Sequence, residues 1–274
     1  MVANQAQSKL NEVYEFLTSF EGMINSDNFR LIRWLRDAKA LRQSNPAEGF
    51  LMEALVYRAQ GKLDKAVDYA KKSYQLDKSV ACNDYATLLS EAGQFQEAID
   101  LSLLNLQEDN FNRYALNRLI VDSSISLDKE ALSQGLSLFK DPNNKSEELF
   151  HSGYSKLEYF DEEISIIEQA KITTDSLIAI SSIAAKASNS YCLGNSQVDM
   201  AVQNNEVGIF LIIVEKIPNI SIDDCFTIHD RYTDYLINSE LSFKDYKRIV
   251  YNFLPLEDED LSNDNIPKQQ GISV

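Results

Sequence analysis

The residues best suited to chemistry lie together in the last third of the chain. Cys225 and His229 stand four positions apart in a segment with helical periodicity, and acidic residues including Asp230 flank them. A spacing of four places two side chains on one face of a helix, as metal ligands and catalytic pairs require. A metal site needs further ligands, however, and the second histidine, His151, is remote in sequence. We therefore predict no metal and no cofactor, and we expect Cys225 and His229 to pack.

Other catalytic signals are weak. A nucleophilic site needs a nucleophile, a base and an orienting group, and neither histidine lies in a recognisable arrangement of that kind. The dipeptide Gly61-Lys62 is followed by Leu63, whereas a phosphate-binding loop requires Ser or Thr there. An enzyme with its site around Cys225, His229 and Asp230 is therefore the minority alternative. A regulator that senses a small ligand or a peptide is another.

The composition is that of an acidic globular protein. Of 274 residues, 44% are hydrophobic and 25% charged, and the formal net charge is −16. Binding to a phosphate backbone needs Lys and Arg clustered on one face, and no such cluster is evident along the sequence, so we do not expect nucleic acid as a ligand. The negative net charge is compatible with a preference for a basic partner.

Cysteine usage and hydropathy favour a cytoplasmic protein. The three cysteines, Cys82, Cys192 and Cys225, are an odd and scattered set that indicates no disulfide framework. The longest apolar run, residues 207–214, is far shorter than the roughly 20 residues of a membrane span. The N-terminal residues lack the basic and apolar blocks of a signal peptide. We therefore expect no membrane span.

A segment that occurs twice within residues 47–110 indicates how the helices of this chain are arranged. Five positions, Ala54, Tyr57, Gly61, Leu63 and Ala66, recur 32 positions later as Ala86, Leu89, Gly93, Phe95 and Ala98. A glycine at a helix C-terminus takes positive φ without strain, and a small alanine lets a second helix approach the first. The pattern predicts stacked helical hairpins, of which about three or more are needed to bury a core.

This repeat resembles the tetratricopeptide repeat (TPR) family, whose usual period is about 34 residues. Residues 47–78 and 79–110 are clear copies. Residues 112–142 keep a small residue at Ala131 but replace the turn glycine by Ser126-Leu127-Asp128. Residues 144–171 form a degenerate fourth copy with its loop at Tyr159-Phe160. Helices over 5–22 and 28–43 are predicted to form a degenerate first hairpin, and a helix over 174–187 is predicted to cap the array.

The pattern changes near residue 188. Residues 197–203 and 207–214 have strand character, a helical stripe runs from Cys225 to Leu236, and residues 247–254 fit a strand or a helix. We predict a mainly α fold: a TPR-like helical-hairpin superhelix over 1–188, a small C-terminal α/β module with a two- or three-stranded sheet over 189–256, and a disordered acidic tail over 257–274.

The TPR resemblance implies a concave groove, lined by the first helix of each hairpin, that accepts a peptide or a partner helix. On that implication the partner-binding residues are Leu51, Leu55, Arg58, Asn83, Thr87, Arg113, Leu116 and Asn117. Leu51 and Leu55 occupy positions at which some TPR proteins carry the Lys and Asn of a carboxylate clamp, so that clamp is absent.

We therefore predict an interaction scaffold, either an adaptor or a chaperone-like protein, for a basic or amphipathic segment of another protein. A strand edge at Val207–Val214 leaves a homodimer through the C-terminal module open.

Overall fold

The computed structural model describes residues 2–24, 28–140, 147–193, 196–205 and 208–256, and these residues form a mainly helical protein with a small sheet. Twelve helices lie in these ranges: α1 (Val2–Ser19), α2 (Phe29–Leu41), α3 (Pro46–Ala59), α4 (Leu63–Leu76), α5 (Lys78–Glu91), α6 (Phe95–Glu108), α7 (Arg113–Ser126), α8 (Lys129–Leu138), α9 (Glu147–Gln169), α10 (Thr174–Asn189), α11 (Ile222–Ile237) and α12 (Phe243–Tyr246). The strands in the same ranges are β1 (Gly22–Met23), β2 (Cys192–Leu193), β3 (Gln197–Asn205), β4 (Gly208–Pro218) and β5 (Ile249–Leu256).

The predicted mainly α class is confirmed, and the C-terminal sheet, predicted with two or three strands, has three. The tail over 257–274, predicted to be disordered, lies outside the described residues. No helix in the described part of the chain is both long and apolar enough to cross a membrane.

Consecutive helices pair into hairpins that follow the 32-residue repeat. The pairs α3–α4 and α5–α6 pack closely, and Gly61 and Gly93 lie in their turns with φ of 70° and 75°. In each turn one backbone hydrogen bond spans five residues: the N–H of Lys62 donates to the Tyr57 carbonyl at 2.9 Å, and that of Gln94 to Leu89 at 2.8 Å. This is the bond that closes a helix ending in a left-handed residue.

The same turn recurs where the sequence has no glycine. Leu127, between α7 and α8, has φ of 53°, and the N–H of Asp128 donates to the Ser123 carbonyl at 2.9 Å. Lys171, between α9 and α10, has φ of 55° in a turn closed in the same way. A residue with a Cβ is less favourable in this conformation by about 1–2 kcal/mol. The turn geometry is therefore kept at a cost in strain.

The predicted fourth hairpin is wrong. Residues 147–169 form one continuous helix, α9, through the position where Tyr159-Phe160 was expected to be a loop. The segment has no glycine or proline after Gly153 that would end a helix. Gly153, Phe160 and Ile167 recur every seven residues and are all buried, so a single helical face packs against the preceding hairpin.

Helix α10 lies across the turns of the hairpins instead of continuing the stack. Ser182 of α10 lies so close to Gly93, and the C-cap residue Ser190 so close to Gly61, that a Cβ on either glycine would collide with their backbone atoms. The Lys186 ammonium also pairs with the Asp64 carboxylate at 2.8 Å. The predicted helix over 174–187 is therefore confirmed, and it covers the edge of the array formed by the turns.

The C-terminal sheet has the strand order β3-β4-β5. The pair β3–β4 is antiparallel, and β4–β5 is parallel, with α11 and α12 in the connection between them. The prediction that residues 207–214 offer a free edge is wrong for its described part, because residues 208–214 belong to the central strand β4. A homodimer through this module stays a prediction.

One cluster of buried side chains crosses the boundary predicted at residue 188. It includes Leu106 of α6, Ala187 of α10, Leu211 of β4 and Phe253 of β5. A smaller cluster around Trp34 joins α1, α2 and α3. The helices predicted over 5–22 and 28–43 are present as α1 and α2, and their assignment as a first TPR-like hairpin stays a prediction. The short antiparallel pair β1–β2 also connects the chain after α1 to the chain after α10.

Candidate protein-binding groove

Two of the predicted groove residues, Leu51 and Leu55, face another part of the chain. Both are buried in the cluster that includes Leu10 and Val13 of α1. Helix α1 packs on α3 and covers this face, because the apolar stripe of α1 needs a surface to pack against. Leu51 and Leu55 are therefore core residues, and their prediction as partner contacts is wrong.

The guanidinium of Arg58 also contacts other parts of the same chain. It is ion-paired with the Glu91 carboxylate at the end of α5, and it donates to the carbonyl oxygen of Asn189, at the end of α10, at 2.9 Å. A buried guanidinium needs such partners, since a buried charge without them is costly. Arg58 joins α3, α5 and α10, and its prediction as a partner contact is wrong.

The predicted residues on α5 and the apolar one on α7 serve the packing of these helices. Leu116 is fully buried. Asn83 is half-buried, and its side-chain oxygen accepts a hydrogen bond from the Asn112 amide at 3.0 Å. The half-buried Thr87 hydroxyl donates to the Asn83 carbonyl at 3.0 Å. These contacts leave Asn83 and Thr87 little surface for a partner, whereas Leu116 has none.

Arg113 and Asn117 are exposed, and both line an open cavity. The cavity has a volume of about 550 Å³ and lies between the first turns of α7 and α9. We call it the α7–α9 groove; its lining residues are Arg113, Tyr114, Asn117, Glu148, Leu149 and Ser152. Arg113 and Asn117 are thus the predicted partner-binding residues that remain exposed, and their contact with a partner stays a prediction.

The start of each helix is held in place by local chemistry. Asn112 caps α7: its side-chain oxygen accepts from the Ala115 N–H at 3.1 Å, while its amide group bonds Asn83 on α5. On α9, Phe150 packs edge-on against Phe139 with ring centroids 5.2 Å apart. The acidic residues of the first turn of α9 complement its helix dipole. These contacts fix both walls of the groove.

The groove combines charge with exposed aromatic surface. Tyr114 is 77% exposed. Arg113 forms no ion pair within the described residues, so its guanidinium is available to an external acceptor. Glu148, on the opposite wall, supplies a negative group. The arrangement can bind a segment that carries both an acidic group and an apolar side chain.

Sequence reasoning missed Tyr114, Glu148, Leu149 and Ser152. Tyr114 adjoins a predicted residue, and its helical position places it beside Asn117, so the signal was present. The other three lie on α9, whose wall position depends on how α9 packs beside α7. No local pattern specifies that contact.

A second cavity, of about 730 Å³, lies between α8 and α9. It is lined by Lys129, Glu130, Ser133, Gln134, Ser137 and Leu157. Lys129 is already paired with Asp161 at 2.8 Å, and Leu157 is the single apolar residue of the lining. Because the ammonium of Lys129 is already compensated and no aromatic or arginine side chain lines this cavity, it offers a partner less than the α7–α9 groove does.

The cysteine and histidine on α11 form no catalytic pair. Cys225 is buried, and this burial raises the pKa of its thiol to about 11, away from the thiolate that a nucleophile requires. His229 is exposed, with its ring against Phe253 and Tyr232. Neither residue lines either cavity described above. The geometry therefore gives the catalytic alternative no support.

Within the described ranges, no group of three or more His, Cys, Asp or Glu side chains is arranged to hold a metal ion. Neither a protein-family model, nor a characterised protein, nor a solved structure matches this chain. The functional conclusion therefore depends on the chain's own geometry.

Proposed function

We propose that this protein is an interaction scaffold built from TPR-like hairpins, and that it binds a peptide or helix of another protein in the α7–α9 groove. The observation that carries the proposal is the combination, on one open surface, of the Asn117 amide, a highly exposed Tyr114 and an Arg113 that has no ion pair in the described part of the chain. Arginine and tyrosine are among the residues that contribute most to binding energy at protein interfaces.

The TPR-like part of the proposal rests on the recurrence of one hairpin. The turns at Gly61, Gly93 and Leu127 share a left-handed residue and the same closing hydrogen bond. Ala66 and Ala98, the small residues of the first two copies, are completely buried between helices. A superhelical arrangement of these hairpins is part of the proposal.

The lining of the groove defines the chemistry of the partner. Arg113 suits a carboxylate, since a guanidinium binds it with two parallel hydrogen bonds. Tyr114 and Leu149 suit an apolar side chain, while Asn117 and Ser152 can bond to backbone groups. An amphipathic segment that presents an acidic and an apolar side chain on one face fits this surface.

The test places a photo-reactive benzophenone amino acid at position 114 of the full chain in its native cells. We expect a discrete cross-linked protein, identified by mass spectrometry. The adduct should fall at least five-fold when Arg113→Glu is added, because the reversed charge repels the partner's acidic group. Circular dichroism would verify that this variant is folded.

Phe226 on α11 provides the matched control. It is an exposed aromatic residue, at 64%, outside the groove. The same photo-reactive group at position 226 should not capture the protein found at position 114. Identical adducts at both positions, or adducts at 114 that are insensitive to Arg113→Glu, would show that the groove is not a specific binding site.

A further inference from the structure

Helix α2 presents a basic surface in an otherwise acidic protein. Residues 28–78 contain 11 of the chain's 26 Lys and Arg residues but 6 of its 42 acidic residues, which gives this part a net charge of +5. Four of these bases, Arg30, Arg33, Arg36 and Lys39, are exposed on α2. No basic cluster is evident along the sequence, but a spacing of three along a helix brings these four residues to its solvent side.

Apolar side chains lie among these charges. Phe29 is 80% exposed and Ile32 is 54% exposed, whereas Trp34, on the other side of the helix, is buried. We call Phe29, Arg30, Ile32, Arg33, Arg36 and Lys39 the α2 surface. Large apolar groups left in water beside a cluster of one charge indicate a surface with an interaction partner.

The charges of the α2 surface are only weakly compensated. Arg33 lies 3.7 Å from the Glu12 carboxylate, and both side chains are about half exposed. Arg36 and Lys39 have no carboxylate within 4.0 Å among the described residues. An acidic segment with apolar side chains would complement the surface in both respects.

The chain itself contains such a segment directly after β5. Four consecutive acids, residues 257–260, are followed by Leu261, Asp264 and Ile266. Five carboxylates and two large aliphatic side chains within these ten residues match the four bases and two apolar groups of the α2 surface. This complementarity favours the chain's own segment as the occupant.

The end of β5 lies near the chain that leads into α2. Leu256 pairs with Pro218 across the sheet, and the next residue, Asn219, donates from its side-chain amide to the Glu21 carboxylate at 2.9 Å. Gly22 is six residues before Asn28, the N-cap of α2, a distance of at most about 21 Å. The 18 residues after Leu256 span up to about 60 Å when extended, so they can reach the α2 surface.

We propose that the acidic segment 257–266 binds across the α2 surface of the same molecule. Its carboxylates pair with the exposed bases, and Leu261 and Ile266 cover Phe29 and Ile32. Because the segment is tethered, its effective concentration at the surface is on the order of millimolar, so even weak contacts keep it bound.

Zero-length carbodiimide cross-linking of the full chain tests this directly. Lys39 is the single lysine of α2, and it should form amide bonds with the carboxylates of residues 257–260, detected by mass spectrometry. An equal mixture of unlabelled and ¹⁵N-labelled protein separates links within one molecule from links between molecules. The yield should fall several-fold in 1 M salt, where the Debye length shrinks to about 3 Å.

Two charge-reversal variants sharpen the test. Arg33→Glu/Arg36→Glu should reduce the Lys39 link at least five-fold. Lys244→Glu/Lys247→Glu makes the same change in net charge near the opposite end of β5 and should leave the link unchanged. An unaltered link in the α2 variant, links formed only between molecules, or an acidic segment linked mainly to other lysines would each overturn the proposal.

A variant that changes only the acidic segment leaves the sequence of the described part of the chain unchanged. Neutralising residues 257–260 to the corresponding amides should at least double the rate at which an acylating reagent modifies Lys39, because its cover is released. Lys171, exposed and remote in sequence, is the internal reference and should keep its rate. An unchanged Lys39 rate would contradict the proposal.

Discussion

Glu215 is a carboxylic acid completely buried between the sheet and the helices that cover it. The Tyr251 hydroxyl donates to its carboxylate at 3.0 Å. Burial raises the pKa of Glu215 above its usual value, and burial beside Glu215 also raises the pKa of Tyr251. Tyr251 therefore remains a donor over the physiological pH range. A protonated Glu215 is the form that this environment favours.

The raised pKa makes stability depend on pH with a definite sign. The folded state keeps the Glu215 proton at pH values where the unfolded chain, with a pKa of about 4.3, has lost it. The stabilisation is complete below that value and is lost as pH rises through the raised pKa. In Glu215→Gln this loss should be absent, because the amide oxygen still accepts from Tyr251 without a charge.

Urea denaturation at pH 5 and pH 8 checks this expectation. Glu215→Gln should lose less free energy of unfolding between the two pH values than wild type does. The control is Glu130→Gln, an exposed position on α8 that removes the same charge and should follow wild type. Equal pH dependence in Glu215→Gln and wild type would mean that Glu215 does not keep a raised pKa.

At the scale of the element, the left-handed turn is the unit that the hairpins share. Glycine supplies it in the first two copies, and Leu127 and Lys171 supply it afterwards. Leu127 is buried, so its side chain compensates for the strain by packing. Lys171 is exposed and has no comparable compensation.

Lys171→Gly should therefore stabilise the protein. Glycine removes about 1–2 kcal/mol of left-handed strain and adds about 0.5–1 kcal/mol of unfolded-state entropy, so we expect a gain of about 0.5–1 kcal/mol in the free energy of unfolding. Lys171→Ala removes the same side chain but keeps the strain, and it should show no gain. The two variants are compared by urea denaturation; equal stabilities would refute the role of the turn.

At the scale of the whole molecule, long-range contacts connect the repeats to the C-terminal module. Arg58 bonds to Asn189, 131 positions away, and Lys186 pairs with Asp64, 122 positions away. The larger buried cluster continues from α6 through α10 into the sheet. We therefore expect the repeats and the module to unfold together.

Two spectroscopic signals test this cooperativity. The fluorescence of Trp34, the single tryptophan, reports on the N-terminal cluster, and the near-ultraviolet circular dichroism of buried tyrosines such as Tyr232 and Tyr251 reports on the module. Their urea midpoints should coincide. Separate midpoints would instead support two independent domains divided near residue 188.

The sequence by itself determined the hairpins, because their requirements are local. A glycine in the left-handed conformation and a small residue at a helix contact act over a few neighbouring positions, so Gly61, Gly93, Ala66 and Ala98 predicted their elements. The strands of the C-terminal sheet could be predicted from the sequence for the same reason, because their pattern is also local. In α9 no glycine or proline interrupts the helix near Tyr159-Phe160. Comparison with the repeat predicts a loop there, but the local sequence continues the helix.

Only the tertiary structure determined which of the partner-binding residues predicted from the sequence are exposed to solvent. Helix α1 covers Leu51 and Leu55, and α10 engages Arg58, through contacts between segments that are distant in sequence. Arg113 and Asn117 stay exposed on α7, and α9 forms the opposite wall of the α7–α9 groove. A side chain's type and period fix the face of the helix on which it lies. Whether that face meets solvent depends on long-range packing, which a local pattern does not contain.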